Sequence, residues 1–193
     1  MTFLVVVAHP MENSLCQFLA DETIKHLNAE GHNVVVKNLY REAFDPRLSL
    51  QERQSYYQPH FDVTWLQRDI DQLRQAESLL LVFPTWWFGF PAILKGWFDR
   101  VWAPGHAYNH AADLGAITPG LDKLKQVYVI TTLGSPWWVD TFILWKPVYR
   151  VLKIAILGAC TRSCTLKIFS LYKSENISSQ RVAKFIAKIR AAV

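Results

Sequence analysis

The sequence predicts an α/β three-layer sandwich, a five-stranded parallel sheet with helices on both faces, formed as a single domain over residues 1–193. Three observations predict it. Short apolar runs of strand length alternate with helix-period segments in the order β-α-β-α-β-α-β-α-β-α. The runs at 3–8 and 79–83 are unbroken rather than alternating, as parallel strands buried on both faces require. Three strands then end in loops of distinctive composition, at 9–16, 84–89 and 132–138, on the edge where open α/β sheets bind ligands.

Residues 3–8 (Phe-Leu-Val-Val-Val-Ala) read as the first strand, and a helix follows from 15 to about 30. Leu15, Phe18, Leu19, Ile24 and Leu27 recur at helical spacing. Asn13 or Ser14 caps its start, and Gly31 stops it. Residues 33–37 are a second strand. A polar connection over 40–62 holds a short helix near 49–57, with turns at Asp45-Pro46 and Gln58-Pro59. A helix over 63–76 leads to the central strand 79–83. After the aromatic break at 84–89, Pro91 opens a helix over 91–102, where its missing N–H does no harm. Residues 103–122 read as a loop, 127–132 as the fourth strand, 163–170 as the fifth and 177–191 as the last helix. Between the last two strands, 141–157 reads as a basic amphipathic helix interrupted by Pro147.

At 193 residues and 51% hydrophobic, the chain suits one domain with a sizeable core. No apolar run approaches the ~20 residues that span a bilayer. The first eight residues lack a basic leader and a cleavage site, so they are expected to be a strand rather than a signal peptide. The three cysteines are odd in number and sparse, which fits a reducing cytosol. Cys160 and Cys164 have no second pair to complete a zinc site, and are read as small buried residues. His106 and His110 have only Asp113 nearby as a third ligand, so no metal is expected. The net charge of +5 is scattered, without a Lys/Arg tract, and argues against nucleic acid. It suits an anionic small molecule such as a phosphorylated cofactor.

The loops carry the chemistry. His9, Asn13 and Ser14 stand before the first helix, whose N–H groups and dipole favour a phosphate. No GxGxxG and no P-loop lysine is present there, so polar side chains must supply what glycine-exposed backbone supplies elsewhere. Trp86, Trp87 and Phe88 form a flat apolar wall in the second loop. The competing reading of these three as ordinary core is disfavoured because loops lie on the surface.

Ala8-His9-Pro10 with Ser14, the long run Pro84-Thr85-Trp86-Trp87-Phe88-Gly89-Phe90-Pro91-Ala92-Ile93-Leu94-Lys95-Gly96-Trp97-Phe98-Asp99-Arg100-Val101, Ala107-Tyr108, and Thr131-Thr132 with Gly134 occur in that order. On these segments the chain resembles the NAD(P)H:quinone oxidoreductase family of flavoproteins, and its shorter bacterial members most, over about residues 3–135. The resemblance implies a flavodoxin-like strand order of 2-1-3-4-5. It implies that His9, Asn13, Ser14, Leu15 and Cys16 hold the flavin phosphate. Pro84, Thr85, Trp86, Trp87 and Phe88 then run along the isoalloxazine edge, with Thr132 and Gly134 at its pyrimidine end. Tyr108 and His110 match positions lining the substrate pocket, often from the partner subunit of a homodimer.

The implied reaction is hydride transfer from NAD(P)H through a bound flavin to a quinone or similar aromatic acceptor, in the cytoplasm. The chain departs from the family where animal members carry a tyrosine and a histidine after the fourth strand. Residues 133–140 contain neither, and Trp137 and Trp138 stand there to shape the pocket. The catalytic residues are therefore unassigned. The long C-terminal extension of the animal enzymes is also missing, which leaves FAD and FMN both open. Two other readings compete. One is an ancillary subunit of a membrane potassium efflux system, favoured by Lys146, Arg150 and Lys153 on the 141–157 helix, with peripheral membrane contact. The other is a flavodoxin-type electron carrier, disfavoured by the positive charge.

Overall fold

The computed structural model describes residues 1–58, 61–111 and 115–193. Its strands are β1 Thr2–Val7, β2 Asn33–Asn38, β3 Ser78–Pro84, β4 Tyr108–Asn109, β5 Thr118–Pro119, β6 Gln126–Leu133 and β7 Thr165–Tyr172. Five of them form one parallel sheet in the order β2-β1-β3-β6-β7. This is the expected order, with β6 and β7 as fourth and fifth strands. The small antiparallel pair β4–β5 lies in the stretch read as loop.

The unbroken apolar runs are explained by burial on both faces. Leu4, Val6, Leu79, Leu81 and Phe83 point into one core layer, with α3 (Gln67–Gln75) and α4 (Ala92–Val101) packed over it. Phe3, Val5, Val7, Leu80 and Val82 point into the other, beneath α1 (Leu15–Ala29) and α7 (Ser179–Arg190). Successive residues of a strand face opposite sides, so both sets must be apolar. Each such side chain contributes about 1.5–3 kcal/mol when fully buried.

The helix boundaries follow local chemistry. Ser14 rather than Asn13 caps α1, its Oγ accepting the Gln17 N–H at 3.1 Å, and Gly31 ends the helix at φ 78°. Ser178 caps α7 through the Arg181 N–H. α2 (Leu50–Ser55) starts in a capping box between Ser49 and Glu52. Pro91 sits one place earlier than expected, as the N-cap of α4. The helix expected over 63–76 begins only at Gln67, because Asp62 accepts from both the N–H and the hydroxyl of Thr64 and holds a turn there. Gly96 on α4 has no room for a side chain. A Cβ there would lie 2.2 Å from the Pro46 carbonyl oxygen, so the Asp45-Pro46 turn seats directly on this helix.

The 141–157 helix is the main departure. A π-helical turn covers Val139–Ile143, then α5 Pro147–Arg150, a π-helical stretch Val151–Ile156 and α6 Leu157–Cys160. Trp145 and Lys146 are left-handed, at φ 58° and 50°. Proline disfavours the right-handed helical conformation in the residue before it, and the helix breaks at Lys146. Lys146, Arg150 and Lys153 therefore do not share one regular helix. Among the described residues no helix is long and apolar enough to cross a membrane.

Candidate active site

The loops after β1, β3 and β6 lie side by side because those strands are neighbours in register, with Val7 opposite Val82 and Pro84 opposite Thr132. Hydrogen bonds tie them further. Ala8 N–H donates to the Val82 carbonyl at 2.9 Å, and Thr85 N–H to the Thr132 carbonyl at 2.9 Å. The Thr85 and Thr131 hydroxyls are 2.6 Å apart, and the Cys16 thiol lies 3.3 Å from the Thr132 hydroxyl.

In the first loop, Met11 N–H donates to Nδ1 of His9 at 3.0 Å. Nδ1 is thus an acceptor, and the neutral ring carries its proton on Nε2. Partial burial holds the His9 pKa below its ordinary value, since a charged imidazole would be poorly hydrated. The Ser14 oxygen accepts the cap bond and its hydroxyl proton remains free to donate, and Asn13 is exposed. Leu15 and Cys16 bring the next N–H groups of α1, positions with no intrahelical acceptor. Burial pushes the Cys16 thiol up to about 11, so it stands here as a neutral group, not a nucleophile.

The second loop is a tight turn in which Gly89 N–H reaches the Trp86 carbonyl at 3.0 Å. Its central residues, Trp87 and Phe88, have φ of 50° and 56°. Two positive φ values define the mirror-image hairpin turn that favours Asn-Gly. Large aromatics there cost about 1–2 kcal/mol each, a strain that marks functional loops. The three aromatics are not core: Trp86 is 43% exposed, Trp87 100%, and Phe88 half-buried. Pro84 has no N–H and that of Thr85 is taken by Thr132, so the donors at this edge come from residues 86–88. Trp86 leans toward His9, ring centroids 6.4 Å apart, joining the first two loops.

In the third loop Gly134 packs against the turn after β7. A Cβ there would lie 2.8 Å from the Glu175 carboxylate. Thr132 is buried between its partners, while Trp137 and Trp138 are exposed and Trp137 meets Phe142 edge-on, ring centroids 5.5 Å apart. Asp140, buried just beyond, accepts the Tyr172 hydroxyl at 2.7 Å.

Tyr108 and His110 form a separate group. Tyr108 OH lies 2.6 Å from Tyr56 OH, and the His110 ring centroid is 5.2 Å from that of Tyr57 and 5.3 Å from that of Tyr108. Burial raises the Tyr108 pKa above the ordinary phenol range and keeps it protonated. His110 Nε2 is buried without a hydrogen-bond partner among the described residues. Tyr56 and Tyr57 were not visible as site residues in the sequence. They lie in a polar connection 52 and 51 positions before Tyr108, and no short-range signal links them. Cys160 and Cys164 are buried, as expected. Asp113 lies outside the described residues, and among those described no group of three His, Cys, Asp or Glu is placed to hold a metal.

A sheet of this order with this carboxyl edge defines a class, and the comparison with known families gives the same one. The model of a family described by its flavodoxin-like fold matches residues 1–155, and the chain belongs to that family. Among its relatives, an uncharacterized NAD(P)H oxidoreductase of Haemophilus influenzae is 37% identical over 138 residues, 70% of this chain and 65% of that protein. The NAD(P)H dehydrogenase (quinone) 1 of Cavia porcellus is 35% identical over 150 residues, 68% of this chain and 53% of that protein. The chain thus spans under two thirds of the length of these two relatives. The solved structure of Smu.1420 from Streptococcus mutans superposes with a TM-score of 0.84 at 30% identity, covering 99% of this chain and 97% of that one.

Proposed function

We propose that the protein is a flavin-dependent NAD(P)H oxidoreductase that reduces a quinone or similar aromatic acceptor by two-electron hydride transfer. One observation carries the reading: three adjoining loops set helix N–H donors, a turn of exposed tryptophans and a buried threonine along a single sheet edge. The names of the two relatives support NAD(P)H oxidation, and that of the second a quinone acceptor. A flavin held at that edge would supply the two-electron hydride chemistry that links a nicotinamide to an acceptor.

The residues have distinct tasks around that group. Leu15 and Cys16 N–H, with His9 beside them, hold the phosphate end. Trp86, Trp87 and Phe88 give the ring edge an aromatic border and backbone donors. Thr132 and Gly134 bound the opposite end. His9 is held neutral by burial, so it offers the Nε2–H as a hydrogen-bond donor without adding a charge. Tyr108, His110, Trp137 and Trp138 line the acceptor pocket. A homodimer that shares its pockets between subunits would bring the two pairs to one acceptor. The exposed apolar side chains of Phe142, Ile143, Trp145 and Ile154 are a face that a second copy would cover.

The test is to release and identify the bound group, then follow reduction of the reconstituted protein by NADH and by NADPH, with menadione as acceptor. Yellow protein that turns over menadione is expected. A colourless protein after flavin reconstitution, inert with both nicotinamides, would refute the proposal. Sedimentation at micromolar concentration is expected to give twice the chain mass of 22.3 kDa.

A further inference from the structure

The polar connection between β2 and α3 is more firmly built than its composition promises. Ser49 Oγ accepts the Glu52 N–H at 3.1 Å, and Glu52 Oε2 accepts the Ser49 N–H at 2.6 Å. The same carboxylate is buried and takes Nε and Nη2 of Arg100 at 3.0 and 2.6 Å. Arg100 stands on α4, the helix that follows the aromatic turn. Its remaining nitrogen Nη1 donates to the Asp45 carbonyl. The short helix α2 is thereby bolted to the element that also carries the edge of the site.

What α2 delivers is Tyr56, the residue closing its last turn. The guanidinium of Arg53 lies 5.7 Å from the Tyr56 ring centroid and 5.3 Å from that of Tyr57, fixing both rings. Phe61 meets Tyr56 edge-on at 5.9 Å. With the ring so held, the Tyr56 hydroxyl has one described partner, the hydroxyl of Tyr108. A phenol has a single proton to give. Across 2.6 Å only one of the two protons lies between the oxygens, and the other points elsewhere.

We propose that Tyr56 is a positioning partner of Tyr108 at the acceptor site: one hydroxyl proton is held between their two oxygens, so that the pair turns the other proton toward the carbonyl oxygen of an aromatic acceptor. This rests on the reading that Tyr108 lines the acceptor pocket. A donor that is itself hydrogen-bonded is polarised and donates more strongly. Without Tyr56, the Tyr108 hydroxyl is free to rotate and its proton is no longer aimed. No proton or electron moves through Tyr56 in this role.

The experiment uses the full chain reconstituted with flavin and compares Tyr56→Phe, Tyr108→Phe and the double variant. Each substitution keeps the ring and its packing, and equal thermal midpoints check the fold. With menadione, Tyr56→Phe is expected to raise KM about fivefold to tenfold, the scale of one lost hydrogen bond. The KM for the nicotinamide and the rate with ferricyanide, an acceptor without a carbonyl, stay within about twofold of the parent. The double variant is expected to be no worse than Tyr108→Phe alone. A normal menadione KM in Tyr56→Phe alongside an impaired Tyr108→Phe would overturn the role of Tyr56 and leave the pocket standing. Additive effects in the double variant would do the same. A normal Tyr108→Phe enzyme would remove Tyr108 from the pocket, and the proposal with it.

Discussion

Replacing Trp87 with Asn is expected to stabilise the protein and weaken its proposed cofactor site at once. The Trp87 side chain is 100% exposed, so its loss sacrifices no buried area. Its φ of 50° is the left-handed conformation, which costs an L-residue about 1–2 kcal/mol. Asn adopts that conformation more readily, and recovery of about half the strain gives ~0.5–1 kcal/mol. In a chain of 193 residues that gain raises Tm by about 1–4 °C. The same change removes a flat aromatic from the edge of the ring site. One stacking contact is worth about 0.5–1.5 kcal/mol, so flavin affinity should fall by about twofold to tenfold. Calorimetry of the flavin-free protein reads the first effect, and fluorescence titration with flavin reads the second. Destabilisation by more than about 0.5 kcal/mol would refute the strain argument, because an exposed side chain has no burial to lose. Unchanged flavin affinity would remove Trp87 from the site.

Three further outcomes are expected. Glu52→Ala leaves Arg100 buried with only a carbonyl partner, and should cost about 3–5 kcal/mol in urea denaturation, whereas Glu52→Leu with Arg100→Met should cost only about 1 kcal/mol, the lost capping-box bond of Ser49; equal losses would deny the pair its role. Ser14→Ala should cost about 1 kcal/mol as a lost helix cap, measured by the shift in denaturation midpoint. Burial pushes the thiols of Cys16, Cys160 and Cys164 up to about 11, 12 and 11, so the folded state holds these protons more tightly than the unfolded one. Their contribution is fully present below the unfolded value of about 8.5 and is lost as pH rises toward the folded values. Urea midpoints should therefore fall above that pH, and fall less in the triple Cys→Ala protein; identical slopes would count against the thiols.

The sheet was legible in the sequence because a parallel strand buried on both faces leaves no place for polar residues, as in 79–83. The aromatic loop was legible for the opposite reason, since three large rings between Pro84 and Gly89 break every surface pattern. The sequence could not show how those rings are held. The mirror-image turn at Trp87-Phe88 lacks the Asn-Gly that announces one, and its backbone is fixed instead by the bonds of Thr85 to the next strand. In the segment 141–157 the interruption at Pro147 was legible, but not the π-helical turns on either side of it, because helical spacing of apolar and basic residues does not separate α from π winding. Tyr56 was hidden by distance along the chain. Its partner is chosen by the buried Glu52–Arg100 pair, and charged residues in a polar connection give no sign of being buried.

Thr132 joins the three loops, by its carbonyl to Thr85, by its hydroxyl to Cys16, and by pairing with Pro84. Two of these links run through backbone atoms, and none involves the side chain of Trp86, Trp87, Trp137 or Trp138. The seat of the site and its rim are therefore under different constraints. Substitutions at the rim are expected to leave the hydrogen bonds of the seat intact.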